Sequence, residues 1–273
     1  MPYIYRYENG RFDQFDKPVV REQPLTIVVN GSELATFLCT PIKLDYLTIG
    51  FLAFEGIIRS MQDIRALDVD LENGVVEVEL TTALVQPKKR VFTSGCGMGL
   101  TFTLRLSHYP PLTSDLALTP EQIFPLMQQL LDGATMYKAS RGIHAAALSD
   151  AEHVLLLAED VGRHNALDKI LGEAMVKGIS TNGRILLTSG RISSEMLRKG
   201  AHMGTPFLMS RTSPTTLSIE AAKRLGITIV GYVRRNSFNL YTHPERLLYH
   251  GLATHPRPQT LPSESAADAG EDA

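Results

Sequence analysis

The spacing of apolar residues changes along the chain and divides it into two regions. Near the N-terminus, residues 25–29 are mostly apolar and lead into Asn30-Gly31, and a second apolar run follows at 33–40. The same pattern recurs around Asn73-Gly74, and both cases are typical of a β-hairpin with a two-residue turn. Between the hairpins, residues 44–58 carry apolar side chains at helical spacing. The region therefore predicts two hairpins joined by a helix.

The second half of the chain alternates short apolar runs with longer amphipathic ones. We expect strands at 144–148, 153–158, 184–188, 206–210 and 227–233, and helices at 120–138, 163–177, 193–203 and 215–225. This alternation predicts βαβ units and a layered α/β sheet. We expect the helix at 163–177 to be amphipathic, because its apolar residues recur at i, i+3 and i+4 steps: Ala166, Leu167, Ile170, Leu171 and Ala174.

These patterns predict an α/β protein in three parts. A smaller N-terminal β-hairpin-rich subdomain takes residues 1–110, and an α/β subdomain takes residues 111–250. The tail at 251–273 is rich in Pro, Ser, Ala and acidic residues, and we expect it to be disordered.

Composition narrows the classes of function. The formal net charge is -2, and the pI is near 6.5. This balance argues against a general nucleic-acid or membrane-surface role. Two cysteines cannot supply a disulfide framework, so a reduced compartment fits better. We see neither a secretory signal nor an apolar run long enough to span a bilayer, and we expect a soluble intracellular protein.

The two cysteines lie in different settings. Cys96 is surrounded by Gly95, Gly97 and Gly99, which leave its thiol without bulky cover, and a basic run lies at residues 88–90. We predict an exposed, mobile loop at 87–99 and a reactive thiol; the alternative is a surface turn with an incidental cysteine. Cys39 lies in an apolar strand, and we expect it to be a small buried side chain.

Polar residues follow three of the predicted strands, at residues 159–169, 188–196 and 234–241. In open α/β sheets, ligands bind beyond the carboxyl ends of the strands. Arg163 and His164 begin a helix, where positive charge opposes the helix dipole unless an anion is bound. The arginines at 234–235 and the aromatic residues after them suit a nucleotide with its phosphates. Capped helices and a basic surface loop remain the alternatives.

Several motifs are missing from the chain. Zinc-dependent nucleobase deaminases need H-x-E and P-C-x-x-C, whereas residues 144–146 read His-Ala-Ala and C-x-x-C does not occur. Two cysteines and scattered histidines give no convincing zinc site, so we expect no metal-binding residues. We also find no P-loop and no G-x-G-x-x-G.

Several short sequence blocks, in their order along the chain, resemble those of the formate dehydrogenase accessory sulfurtransferase family (FdhD/NarQ). The most specific are G-R-H-N-A-x-D-K at 162–169 and S-G-R-x-S-x-E at 189–195, and the likeness extends from about residue 20 to residue 250. The other matching stretches are residues 50–58, the Cys96 loop, residues 142–148 and residues 241–244.

The resemblance implies a function and a fold. Members take sulfur from a cysteine desulfurase and pass it to the bis-molybdopterin guanine dinucleotide form of the molybdenum cofactor, which formate dehydrogenase requires. They are cytoplasmic, they resemble the cytidine-deaminase-like α/β fold without its zinc, and homodimers are expected.

The resemblance also implies which residues carry the function. The sulfur-carrying cysteine matches Cys96. The cofactor-binding loop matches Tyr232, Val233, Arg234, Arg235, Asn236 and Ser237. We add as further candidates Arg163, His164, Gly190, Arg191 and Ser194.

The chain departs from the family pattern at one position. Many members carry C-x-x-C in the loop, whereas the second cysteine position here is Gly99. A mechanism that needs a dithiol in this loop cannot operate, but a single persulfide carrier can. Two alternative functions stay open: a cofactor-binding chaperone without sulfur transfer, and, less favoured, a nucleotide-processing enzyme of the deaminase type.

Overall fold

A computed structural model describes residues 4–15, 19–84, 91–93, 99–101, 106 and 109–249. Cys96 and the tail at 251–273 lie outside the described residues. The predicted loop at 87–99 is partly wrong, because residues 91–93 and 99–101 pair as short antiparallel strands.

The described residues form fourteen strands and six α-helices. The strands are β1 (Ile4–Glu8), β2 (Arg11–Phe15), β3 (Gln23–Val29), β4 (Ser32–Cys39), β5 (Ile64–Asp70), β6 (Val75–Leu80), β7 (Val91–Thr93), β8 (Gly99–Thr101), β9 (His144–Ser149), β10 (Val154–Asp160), β11 (Ile185–Thr188), β12 (Phe207–Ser210), β13 (Thr228–Gly231) and β14 (Asn239–Leu240). The helices are α1 (Leu44–Phe54), α2 (Pro120–Gly133), α3 (Thr135–Ser140), α4 (Arg163–Lys177), α5 (Ser194–His202) and α6 (Thr216–Leu225).

Both predicted hairpins belong to one four-stranded sheet, in the order β4-β3-β6-β5. The turn between β3 and β4 is built by Asn30 and Gly31, whose φ angles are 49° and 75°. Asn and Gly enter this left-handed region at the least cost, so the pair sets the turn. β3 and β6 then join the two hairpins in parallel. Both hairpins are confirmed, but the two-residue turn predicted at Asn73-Gly74 is wrong, because Asp70 pairs with Val75 and leaves residues 71–74 in the turn.

The second sheet has six strands in the order β10-β9-β11-β12-β13-β14. β11, β12 and β13 run parallel, with α5 and α6 between them, whereas β9, β10 and β14 are antiparallel to their neighbours. The predicted α/β architecture is therefore confirmed. The likeness to cytidine deaminase and the division into subdomains stay predictions.

The predicted helix at 120–138 is wrong as one element, because it breaks at Ala134. The ψ angle of Ala134 is 81°, outside the helical range. The Glu159 carboxylate then accepts from the backbone N–H groups of Met136 and Tyr137, at 3.2 and 2.6 Å. The first N–H groups of a helix have no carbonyl partner within it, and here the carboxylate accepts from them. Glu159, although distant in sequence, therefore favours the start of a new helix, α3.

The predicted apolar face of α4 is buried, as expected, but most of the rest of the helix is buried as well. α1 packs against α4 and covers more of its surface than the spacing of apolar residues predicts. A Cβ on Gly50 would overlap the carbonyl oxygen of Asp168, and one on Gly172 would overlap that of Tyr46. The two glycines therefore permit the close approach of the helices. The charged residues of α4 consequently need partners in the interior.

One cluster of buried apolar side chains includes residues from both sheets, and a second lies between α2 and the six-stranded sheet. No helix in the described part of the chain is long and apolar enough to cross a bilayer.

Candidate functional site

The carboxyl ends of β11, β12 and β13 meet at one edge of the larger sheet, and the turns that follow them are joined by hydrogen bonds. Ser210 Oγ donates to the carbonyl oxygen of Gly190 at 2.6 Å. The N–H of Gly190 in turn donates to Thr188 Oγ1 at 3.0 Å. These bonds fix the turn after β11 against the end of β12.

The turn at 232–234 is held against the turn after β12. Tyr232 has a φ of 51°, a conformation that needs support from its surroundings. Its N–H donates to the Thr212 carbonyl, and that of Val233 donates to the Ser210 carbonyl, both at 3.0 Å. The guanidinium of Arg211 donates to the Val233 carbonyl at 2.9 Å, and that of Arg234 donates to the Arg211 carbonyl.

Arginines gather around an open cleft of about 420 Å³ between this edge and α2. Burial lowers the pKa of Arg211, with Arg234 and more weakly Arg141 adding to the effect, while Tyr137 opposes it. The described residues lining the cleft include no acidic side chain. They are Phe124, Pro125, Met127, Gln128, Leu131, Arg211, Arg234 and Arg235. Such a cluster of cations beside an apolar wall suits an anionic ligand that carries a ring.

The predicted cofactor loop borders this cleft. Tyr232 is 42% exposed, and its ring lies 5.8 Å from the Arg234 guanidinium carbon. Arg234, Arg235, Asn236 and Ser237 are exposed, whereas the side chain of Val233 is buried in the core. Val233 can therefore offer a ligand only its backbone.

The other predicted residues lie deeper or further along the edge. A Cβ on Gly190 would lie 3.1 Å from His144 Nδ1 and 3.2 Å from the Cβ of Arg163, so these three residues are neighbours. Arg163 is 7% exposed, Arg191 is exposed and Ser194 is half-buried. Their contact with a ligand stays a prediction.

His164 faces the interior of the protein. Its Nε2 lies 3.4 Å from Glu195 Oε2. Burial lowers the pKa of His164 well below its usual value, and the charges of Lys199 and Arg163 lower it further. We therefore expect a neutral imidazole at physiological pH.

Asp160 joins the two sheets. Its Oδ2 accepts from Lys169 Nζ at 2.6 Å and from the Thr40 N–H at 3.1 Å. Its Oδ1 accepts from the Gly162 N–H and from Asn165 Nδ2. The carboxylate thereby fixes the chain after β4 to the start of α4.

The two cysteines differ in what the structure describes. The Cys39 side chain is fully buried, as predicted, and burial raises its pKa to about 12. For Cys96, only the flanking strands β7 and β8 are described. β8 lies beside β4. Directly after β4, the backbone N–H of Thr40 donates to the Asp160 carboxylate.

Comparison with known proteins decides the family. The model of the FdhD/NarQ family matches residues 20–248. This chain belongs to the FdhD/NarQ family. Sulfur carrier protein FdhD of Bacillus subtilis (strain 168) is 41% identical over 250 residues, which is 89% of this chain and 95% of the relative. That of Staphylococcus haemolyticus (strain JCSC1435) has the same identity and coverage.

A solved structure has the same architecture. The crystal structure of a putative formate dehydrogenase accessory protein from Desulfotalea psychrophila superposes with a TM-score of 0.75 at 29% sequence identity. The match covers 91% of this chain and 98% of that one. The two proteins therefore share the same fold.

The sequence patterns did not point to Arg211, which lines the cleft, or to Arg141, which lies near enough to Arg211 to affect its pKa. Arg211 follows directly after β12, so the rule that found Arg234 after β13 could have found it too. Arg141 lies in the turn before β9, and no local pattern marks it. Its proximity to Arg211 arises only when α3 packs beside the sheet edge.

Proposed function

We propose that this chain is a sulfur carrier that passes sulfur from a cysteine desulfurase to the bis-molybdopterin guanine dinucleotide cofactor required by formate dehydrogenase. Support comes from relatives about 40% identical that are named sulfur carrier proteins. A sulfur carrier needs an accessible thiolate. The chain has two cysteines, and Cys39 is buried with a pKa of about 12. The burial of Cys39 is the observation that best supports Cys96 as the carrier.

Loading is a thiol–persulfide exchange. The Cys96 thiolate attacks the terminal sulfur of the desulfurase persulfide, and the bond between the two sulfurs of that persulfide breaks. The desulfurase cysteine leaves as a thiolate, and Cys96 becomes a persulfide. No external electron donor is needed, because one sulfur–sulfur bond replaces another.

Delivery of the sulfur needs two electrons. The terminal sulfur of the Cys96 persulfide becomes a sulfido ligand of molybdenum, and Cys96 returns to a thiolate. A second thiol at the position of Gly99 could have supplied the electrons by forming a disulfide, but this chain lacks one. We propose that a small-molecule thiol or the molybdenum centre of the substrate supplies them.

The arginine cleft is proposed to hold the cofactor substrate. Arg211, Arg234 and Arg235 offset the charge of its diphosphate groups, because guanidinium groups match phosphate oxygens in geometry and charge. The exposed Tyr232 ring offers a surface for a guanine or pterin ring. Arg163 and Arg191 lie further along the edge and extend the positive charge.

Formate oxidation in cells that lack their own FdhD tests this proposal. Wild type and Cys39→Ala are expected to restore formate dehydrogenase activity, while Cys96→Ser is not. Restoration by Cys96→Ser would contradict sulfur carriage and favour the chaperone alternative. Cellular amounts of each variant, measured by immunoblot, separate loss of sulfur transfer from loss of the protein.

A further inference from the structure

Three arginines of the arginine cleft have no acidic partner in the described part of the chain. Arg211 and Arg234 donate to backbone carbonyls, and Arg235 lines the cleft beside them. A carbonyl satisfies a guanidinium donor but carries no net charge that would offset the cation. The repulsion between neighbouring cations therefore makes the cleft attractive to any anion that comes close.

The chain itself carries a group of anions beyond the residues matched by the family, which end at 248. Residues 258–273, here called the acidic tail, contain no lysine, arginine or histidine. Four acidic residues lie close together within it: Glu264, Asp268, Glu271 and Asp272. Carboxylates pair with guanidinium groups in the same geometry as phosphate oxygens, so the acidic tail has the chemistry that the cleft selects.

The chain leads to the acidic tail from a point beside α2, which forms one wall of the cleft. The backbone N–H of Leu118 donates to the Arg246 carbonyl at 3.0 Å, and that of Leu248 donates to the Leu118 carbonyl at 2.9 Å. α2 begins shortly afterwards, at Pro120, and its first residue in the cleft is Phe124. At a rise of about 1.5 Å per residue, Phe124 lies only about 6 Å along the helix from Pro120.

The acidic tail is long enough to reach the cleft. Residues 250–264 lead from the last described residue to its first carboxylate, and a flexible chain of that length spans about 20 Å on average. Tethering over such a span gives an effective concentration of about 1 mM. A contact with a dissociation constant of about 0.25 mM, weak between separate molecules, would then be formed about four-fifths of the time.

We propose that the acidic tail occupies the arginine cleft and competes with the phosphate groups of the cofactor, an inference that rests on the proposed role of the cleft. Every ligand of the cleft must then displace the tail, which lowers all affinities by the same factor. Weakly held anions, such as free phosphate and single nucleotides, are excluded first, whereas a ligand with further contacts still binds. The acidic tail thereby reserves the cleft for the complete cofactor.

Neutralising the acidic tail in the full-length chain tests the competition. The tail variant combines Glu264→Gln, Asp268→Asn, Glu271→Gln and Asp272→Asn. We expect it to bind GDP about fivefold more tightly than wild type in calorimetry, because a cleft that is filled about four-fifths of the time leaves about one molecule in five able to bind.

The matched control removes four charges from the other sheet. Asp68, Glu72, Glu77 and Glu79 are exposed on the hairpin of β5 and β6, and D68N/E72Q/E77Q/E79Q makes the same change in net charge. We expect this variant to bind GDP as wild type does. Equal GDP affinity in wild type and the tail variant would overturn the proposal. An equal gain in the control would also overturn it, because the effect would then be one of net charge.

Cross-linking tests the contact independently of GDP binding. A photoreactive benzoylphenylalanine at Ala267 is expected to cross-link to peptides that contain α2 or residues 211–235, and to do so less in the tail variant or with excess GDP. Cross-links confined to other parts of the chain would overturn the proposal. If neither wild type nor the tail variant bound GDP while the cross-links formed as expected, the cofactor role of the cleft would fall and the contact of the acidic tail would stand.

Discussion

Asp160 and Lys169 form an ion pair at 2.6 Å, and both side chains are fully buried. Asp160→Asn leaves the Lys169 ammonium buried without a counter-charge, although backbone carbonyls of Thr40 and Glu159 still accept from it. We expect a loss of about 3–5 kcal/mol in the free energy of unfolding, measured by urea titration.

The matched control is the exposed pair of Asp132 and Lys138. Asp132→Asn is expected to leave the free energy of unfolding nearly unchanged, because a solvated ion pair contributes little. Equal losses for Asp160→Asn and Asp132→Asn would contradict the structural role of Asp160.

Arg211 is the arginine of the cleft that the sequence interpretation missed. Arg211→Ala removes a cation from the cleft and the donor to the Val233 carbonyl. We expect the affinity for GDP, measured by calorimetry, to fall roughly tenfold, which corresponds to one charge-assisted hydrogen bond. Arg65→Ala, on the exposed surface of β5, is the control. Unchanged GDP affinity in Arg211→Ala would contradict the assignment of the cleft.

The contact of α1 with α4 depends on two glycines. Gly50→Ala forces a Cβ into the carbonyl oxygen of Asp168, and neither backbone can move without separating the helices. We expect a loss of about 3 kcal/mol or more in stability, visible as a lower melting temperature.

Gly142→Ala is the matched control, since its Cβ would meet only Val20 Cγ2 at 3.8 Å. That variant is expected to melt near the wild-type temperature. If Gly50→Ala has the same melting temperature as Gly142→Ala, the two helices are packed less closely than the structure indicates.

Local patterns predicted most elements, and the errors share a cause. The Asn-Gly pairs and the apolar runs are local signals, so the positions of both hairpins and of strands β9 to β13 were predicted, whereas the two-residue strand β14 was not. The break at Ala134 is favoured by Glu159, and the burial of α4 depends on α1, so neither follows from spacing within one segment. Arg234 was predicted because it follows a strand, whereas Arg141 joins the site only through tertiary packing.

Two histidines, the half-buried His144 and the buried His164, predict how the stability of the whole molecule depends on pH. Burial is the largest cause that lowers the pKa of both. As pH falls below about 6.5, the histidines of the unfolded chain bind protons, whereas those of the folded chain stay neutral. The free energy of unfolding therefore falls on acidification. Asp168 acts in the opposite direction below its pKa of about 6, because the folded state then binds the proton more readily.

We therefore expect the free energy of unfolding to fall between about pH 7.5 and pH 6, by at most about 1.4 kcal/mol per pH unit for each histidine. His144→Gln removes one contribution and is expected to give a shallower dependence of the free energy of unfolding on pH, measured by urea titrations at both pH values. A wild type whose stability rises over this range would contradict the assignment of buried neutral histidines.

Cys96 is proposed to carry the sulfur. Intact-protein mass spectrometry after incubation with a cysteine desulfurase and free cysteine, followed by peptide mapping, tests this role. We predict one added sulfur atom, located on Cys96, in wild type and in Cys39→Ala, and none in Cys96→Ser. Added sulfur on Cys39, or sulfur retained by Cys96→Ser, would contradict the account.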